Sequence, residues 1–114
     1  NYPPHSILKT SEKDYLIELA VAGFREDELE VTVEDRTLTI RGKHEDRGRT
    51  YIHKGISNKK FERKFRLSEY VEVVGANLED GILAVQLQVV LPEEKQPKKI
   101  IFAYAQPPFL QLVK

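Results

Sequence analysis

Ala76-Asn77-Leu78-Glu79-Asp80-Gly81-Ile82-Leu83-Ala84-Val85-Gln86-Leu87-Gln88-Val89 reads as a β-hairpin, and it decides the fold class. Leu83, Val85, Leu87 and Val89 alternate with Ala84, Gln86 and Gln88, the period-two pattern of a half-buried strand. Asp80-Gly81 supplies the positive φ that a tight turn between two strands requires.

Upstream of the hairpin, strand signals recur. Ser6–Lys9 is a short opening strand after Pro3-Pro4, and Tyr15, Ile17, Leu19 and Val21 alternate with Leu16, Glu18 and Ala20. Ala22-Gly23-Phe24 ends that run, and the acidic stretch Arg25-Glu26-Asp27-Glu28 suits a single helical turn. Leu29, Val31 and Val33 then share one face, with Glu28, Glu30, Thr32 and Glu34 opposite. Asp35-Arg36 is a tight turn into Thr37–Gly42. Further strands are expected at Phe61–Leu67, Val71–Leu78 and Ile82–Val89. No segment carries a sustained helical period, so the expected architecture is an all-β sandwich of about seven to nine short strands.

Between these strands, residues 43–60 are unusual. Lys43–Thr50 is almost wholly charged, and Tyr51-Ile52-His53-Lys54-Gly55-Ile56 has the composition of an isolated strand inside a long loop. Loops beyond about 12–15 residues are uncommon and usually functional. After Leu91-Pro92 the composition turns to Glu93-Glu94-Lys95-Gln96-Pro97-Lys98-Lys99, a solvated linker. Apolar residues return as Ile100-Ile101-Phe102 and again as Phe109–Val113. The expected division is therefore a domain over 1–91 and an extension over 92–114, whose apolar clusters are placed to dock on another copy of the chain.

Composition narrows the function. The 114 residues carry 18 cationic and 18 anionic side chains, which gives no global pull toward nucleic acid or a membrane surface. The charges are segregated, however. Residues 12–36 hold nine acids and three bases, whereas 41–66 hold ten bases and three acids. Solvated strand faces explain this, and so does head-to-tail complementarity between copies. There is no cysteine, which removes disulfides and thiol chemistry, and no apolar run is long enough to span a bilayer as a helix. The chain lacks methionine and opens in a loop, so a segment is expected to precede Asn1; no secretory signal is seen, and a cytoplasmic protein is expected.

Catalytic chemistry is not spelled out. His5, His44 and His53 show no ligand spacing and read as surface histidines, so neither a metal nor a cofactor is expected. The carboxylates alternate with core positions and point to water. No nucleophile elbow or phosphate-cradling loop is present. The chain reads as a non-enzyme without a small-molecule substrate. Phe61, Phe65 and Leu67 share the core face of their strand, which argues against a stacking surface for nucleic acid. Arg63 falls on that same apolar face; either it reaches out at the rim or it forms an ion pair with an acid across a subunit interface.

Four segments taken together resemble the α-crystallin domain of small heat shock proteins, in the bacterial class. They are Val21–Phe24 before the acidic turn, Tyr51–Ser57 in the long loop, Phe61–Leu67, and the opening hairpin Ala76–Leu83, in an order and spacing that cover about residues 2–91. The resemblance implies an immunoglobulin-like β-sandwich and an ATP-independent holdase that binds unfolding client proteins and assembles into homo-oligomers from strand-exchanged dimers. It implies that Tyr51, Ile52, His53 and Lys54 of one copy pair with Ile7, Leu8 and Lys9 of another. It further implies a C-terminal anchor of the I-x-I type, at Ile100, Ile101 and Phe102. That anchor would dock in a groove lined by Leu29, Val31, Val33, Val74, Ala76 and Leu78. Phe102 departs from the usual Ile or Val, and Leu110/Leu112 form a competing anchor. The alternative reading is a monomeric CS-domain-like co-chaperone or adaptor.

Overall fold

The computed structural model describes residues 2–45 and 48–92, together with Pro97, Ile100 and Phe102. Its seven strands are β1 (His5–Lys9), β2 (Asp14–Ala20), β3 (Leu29–Glu34), β4 (Thr37–Gly42), β5 (Phe61–Arg66), β6 (Val71–Glu79) and β7 (Ile82–Val89). One antiparallel sheet runs β1-β2-β7-β6 and the other β3-β4-β5. Ile17, Leu19, Leu83 and Val85 from the first sheet meet Leu38, Ile40 and Phe61 from the second to form the buried core. Alternation works as expected in β7, where Leu83, Val85 and Leu87 are buried and Gln86 is exposed.

Two hairpins fix the register. Asp80 and Gly81 take φ values of 54° and 76°, and Asp35 and Arg36 take 51° and 59°. Positive φ at both central residues matches the right-handed twist of the flanking strands. It leaves Glu79 opposite Ile82 and Glu34 opposite Thr37. The acidic stretch closes into a 3-10 turn, Glu26–Glu28, before β3. At the far end of β4, Gly42 lies directly under Phe61, whose ring would stand 2.2 Å from an added Cβ. The absent side chain lets that ring pack edge-on against Tyr2 and Phe24.

A bulge in β6 corrects one expectation. Val73 pairs with Leu87 and Gly75 with Gln86, so Val74 has no partner of its own. The extra residue inverts the facing of everything after it. Val71 and Val73 face the core before the bulge, opposite Val89 and Leu87; after it Leu78 packs against the core opposite Leu83, while Ala76, opposite Val85, shares that face but is exposed. Val74 is turned to the outer surface and is 53% exposed.

The long loop differs as well. Tyr51–Ile56, expected to be a strand, has no strand structure in this single chain. A strand exists only where another strand meets its backbone groups, and no neighbouring edge in the described chain reaches this segment. Tyr51 is flanked instead by Arg49 and Lys54, whose cationic groups lie 5.5 Å and 5.2 Å from its ring centre. Ile52 is fully exposed and Ile56 largely so.

Candidate functional site: open edges and an apolar cleft

Each sheet of this sandwich ends in open strands. At one side β3 and β6, the edges of different sheets, leave a cleft of about 280 Å³ between them. Leu29 and Val31 line it from β3, Ala76 and Leu78 from β6, and Leu83 from behind, with Glu26 and Asn77 at its mouth. Four of the six expected groove residues are thus brought together. Val74 is excluded by the bulge. Val33 shares the face of Leu29 and Val31, being paired with buried Leu38, but it lies beyond the cleft and is 49% exposed. The cleft falls below the ~300–1,000 Å³ of small-molecule sites. Its size and apolar walls suit one or two aliphatic or aromatic side chains on an extended peptide.

On the opposite side, β1 presents its outer backbone edge, since among the described residues it pairs only with β2. Ile7 is 60% exposed and Leu8 38%. Beside this edge lies a wider apolar hollow of about 590 Å³. Ile7, Tyr15, Phe65, Leu67 and Val71 contribute to its walls. Sequence reasoning missed this hollow, because it forms only where the inner faces of β1 and β5 fail to close on each other. An unpaired edge beside exposed apolar surface is a template for strand addition.

Arg63 is fastened within its own chain. Its Nη1 donates to the Pro3 carbonyl at 2.9 Å, its Nη2 lies 2.9 Å from His5 Nδ1, and the guanidinium stacks on Phe65 at 5.6 Å. No carboxylate pairs with it among the described residues. The Arg63 side chain therefore ties β5 to the segment leading into β1. Of the proposed anchor, Ile100 and Phe102 are 77% and 95% exposed. Ile101, Leu110 and Leu112 lie outside the described residues.

Two polar residues contradict the sequence reading. Glu28 was expected to face water, yet its side chain is only 3% exposed. Its Oε1 accepts the Arg25 backbone N–H at 2.7 Å and its Oε2 accepts that of Glu45 at 2.8 Å. His44, expected at the surface, has a side chain only 11% exposed and packs edge-on against Phe24. The signal for Glu28 was present: an acid three residues after the turn's first residue reaches back to cap it. Elsewhere the charges are solvated. Arg41 bridges Glu62 at 2.7 Å and Glu30 at 3.3 Å on the outer face of β3-β4-β5. The hydrogen bond that Arg41 donates to the Glu62 carboxylate holds the guanidinium above its ordinary pKa. Among the described residues no group of carboxylates and histidines is arranged to hold a metal ion, and no helix is long and apolar enough to cross a membrane.

These features define a β-sandwich that presents strand edges and peptide-sized apolar clefts. Residues 7–102 match the Hsp20/alpha crystallin family. The chain is 46% identical over 101 residues to the small heat shock protein IbpA of Escherichia coli, an alignment covering 87% of this chain and 74% of IbpA. Among solved structures, a C-terminally truncated form of the small heat shock protein AgsA from Salmonella typhimurium superposes with a TM-score of 0.72 at 33% identity, covering 90% of this chain and all of that one. The small heat shock protein from Synechococcus phage S-ShM2 gives 0.67 at 36% identity, again with 90% of this chain and 100% of that chain covered. The chain belongs to the Hsp20/alpha crystallin family of small heat shock proteins, and that membership supports a chaperone role.

Proposed function

We propose that the protein is an ATP-independent holdase of the cytoplasm, which binds unfolding proteins through apolar surface and keeps them from aggregating. It acts without catalysis and without a cofactor. The observation that carries this reading is the cleft between β3 and β6. Leu29, Val31, Ala76 and Leu78 surround a space of about 280 Å³ that their own chain leaves open. In a family member, such a cleft is suited to the anchor Ile100-Ile101-Phe102 of a neighbouring dimer, carried on the 92–114 extension.

The dimer itself forms by strand exchange. Tyr51–Lys54 of each copy adds to the free edge of β1 along Ile7–Lys9 of the other, and the segment becomes a strand only there. Ile52 and Ile56 provide apolar side chains for the hollow beside Ile7, while both exposed edges are capped. In the dimer, the Arg63 guanidinium lies next to this edge, where a partner carboxylate can join its contacts with Pro3 and His5.

Energetics explain why assembly is dynamic. Two docked side chains contribute about 1.5–3 kcal/mol each, and a few strand hydrogen bonds about 0.5–1.5 kcal/mol net each. These barely exceed an association cost of about 4–15 kcal/mol. Single anchors therefore release readily, whereas many tethered ones hold the oligomer by avidity. Released anchors expose clefts to clients.

Proline substitution tests the exchange. In an edge pairing, alternate N–H groups point to the neighbour, so one of Ile52→Pro and His53→Pro must remove a ladder donor. Neither residue supports the sandwich of its own chain, so the fold is retained. Light scattering after gel filtration should show monomers for one of the two variants. Dimers or larger species in both would refute the exchange, and a monomeric parent protein would favour the adaptor class instead. The holdase activity itself is read from client aggregation without ATP.

A further inference from the structure

The root of the long loop is fastened to the turn Glu26–Glu28 by one residue. The Glu28 carbonyl accepts the Lys43 N–H at 2.9 Å, and its carboxylate accepts the Glu45 N–H at 2.8 Å. His44, between them, points Nδ1 at Glu28 Oε1 from 3.5 Å. That nitrogen is buried and has no hydrogen-bond partner among the described residues. A neutral imidazole can offer that carboxylate at most a hydrogen bond from one tautomer, whereas a ring protonated on both nitrogens forms an ion pair with it.

We propose that Glu28 and His44 form a proton-operated clamp on the root of the exchange loop. They are positioning residues, setting how firmly Tyr51–Lys54 is presented to a second copy; this consequence rests on the strand-exchange reading above. The surrounding charges favour the closed form. Arg25 Nη2 lies 3.8 Å from Glu28 and 3.5 Å from Glu45, and Arg25 Nε is paired with Asp27 at 3.3 Å. Lys43 and Lys60 share a solvent-facing recess with Glu28 and Asp27. With His44 neutral, Arg25, Asp27, Glu28 and Glu45 together leave a negative balance beside the imidazole, and a proton on the ring offsets part of it. Phe24 covers the ring with a centroid distance of 5.8 Å, limiting competition from water. Protonation thus closes the clamp as pH falls, and its loss frees the loop root as pH rises. The same turn also contributes Glu26 to the mouth of the β3–β6 cleft, so the clamp sits between the two assembly surfaces.

The test follows two quantities in the full chain at about pH 6 and about pH 8, the interval spanning imidazole titration. One is amide hydrogen exchange of residues 43–45, corrected for its intrinsic pH dependence. The other is the rate at which two fluorescently labelled populations trade subunits. Protection at 43–45 should be about five-fold greater at the lower pH, as for one partly exposed ion pair, and subunit trading should slow in parallel. His44→Gln should remove the pH dependence of both while circular dichroism shows an intact sandwich. Equal protection at the two pH values in the parent protein, or a pH dependence surviving in His44→Gln, would overturn the clamp. Protection that responds while subunit trading does not would sustain the clamp and count against strand exchange as the route of assembly.

Discussion

The double variant Ile100→Gly/Phe102→Gly is expected to sediment as dimers, and the parent chain as a larger assembly. Ile100 is 77% and Phe102 95% exposed, and the cleft proposed to receive them is left open by the described residues. Removing two apolar side chains worth about 1.5–3 kcal/mol each weakens every anchor by two to four orders of magnitude, at roughly tenfold per 1.4 kcal/mol. Because the oligomer depends on several anchors acting together, the loss is compounded through avidity. Leu110→Gly/Leu112→Gly should leave the sedimentation profile unchanged. The reverse pattern would assign the anchor to the later apolar pair.

The second large effect concerns the sandwich itself. Leu38 is fully buried in β4, the central strand of its sheet, beside Ile40 and opposite Phe65. Leu38→Ala should cost about 2–5 kcal/mol, the range for truncating a leucine in a core that cannot collapse around the cavity. For a domain of this size that lowers the unfolding midpoint by roughly 10–20 °C or more. A urea titration of the dimer, run at constant protein concentration, measures it. A loss below about 1 kcal/mol would mean that the two sheets are not packed through this residue.

Local chemistry made much of this fold legible in advance. Asp80-Gly81 and Asp35-Arg36 sit where the strands must reverse, and period-two patterns placed Ile17, Leu19, Val85 and Leu87 in the core. The cleft was legible only in part. Nothing in strict alternation announces a bulge, so Val74 was grouped with Ala76 and Leu78 although the inserted residue sends it to the other face. The neighbouring Gly75 is the kind of residue that marks such a site. Alternation also misled at Glu28, which belongs to the turn and not to β3, and whose carboxylate finds backbone donors from two segments. His44 is buried by Phe24 through a contact between residues twenty apart in the chain. Tyr51–Lys54 has the composition of a strand but no edge to pair with in its own chain. In the proposed exchange, its strand conformation would be a property of two molecules.

The central claim is that open edges and clefts serve unfolding proteins, not a single folded partner. The most direct measurement is the light scattering of a heat-labile client warmed with the full chain, with ATP omitted. Near one chain per client, scattering should be suppressed, and the client should remain in a mixed complex recoverable by gel filtration. Scattering that rises at the same rate and to the same level as for the client alone would contradict the account.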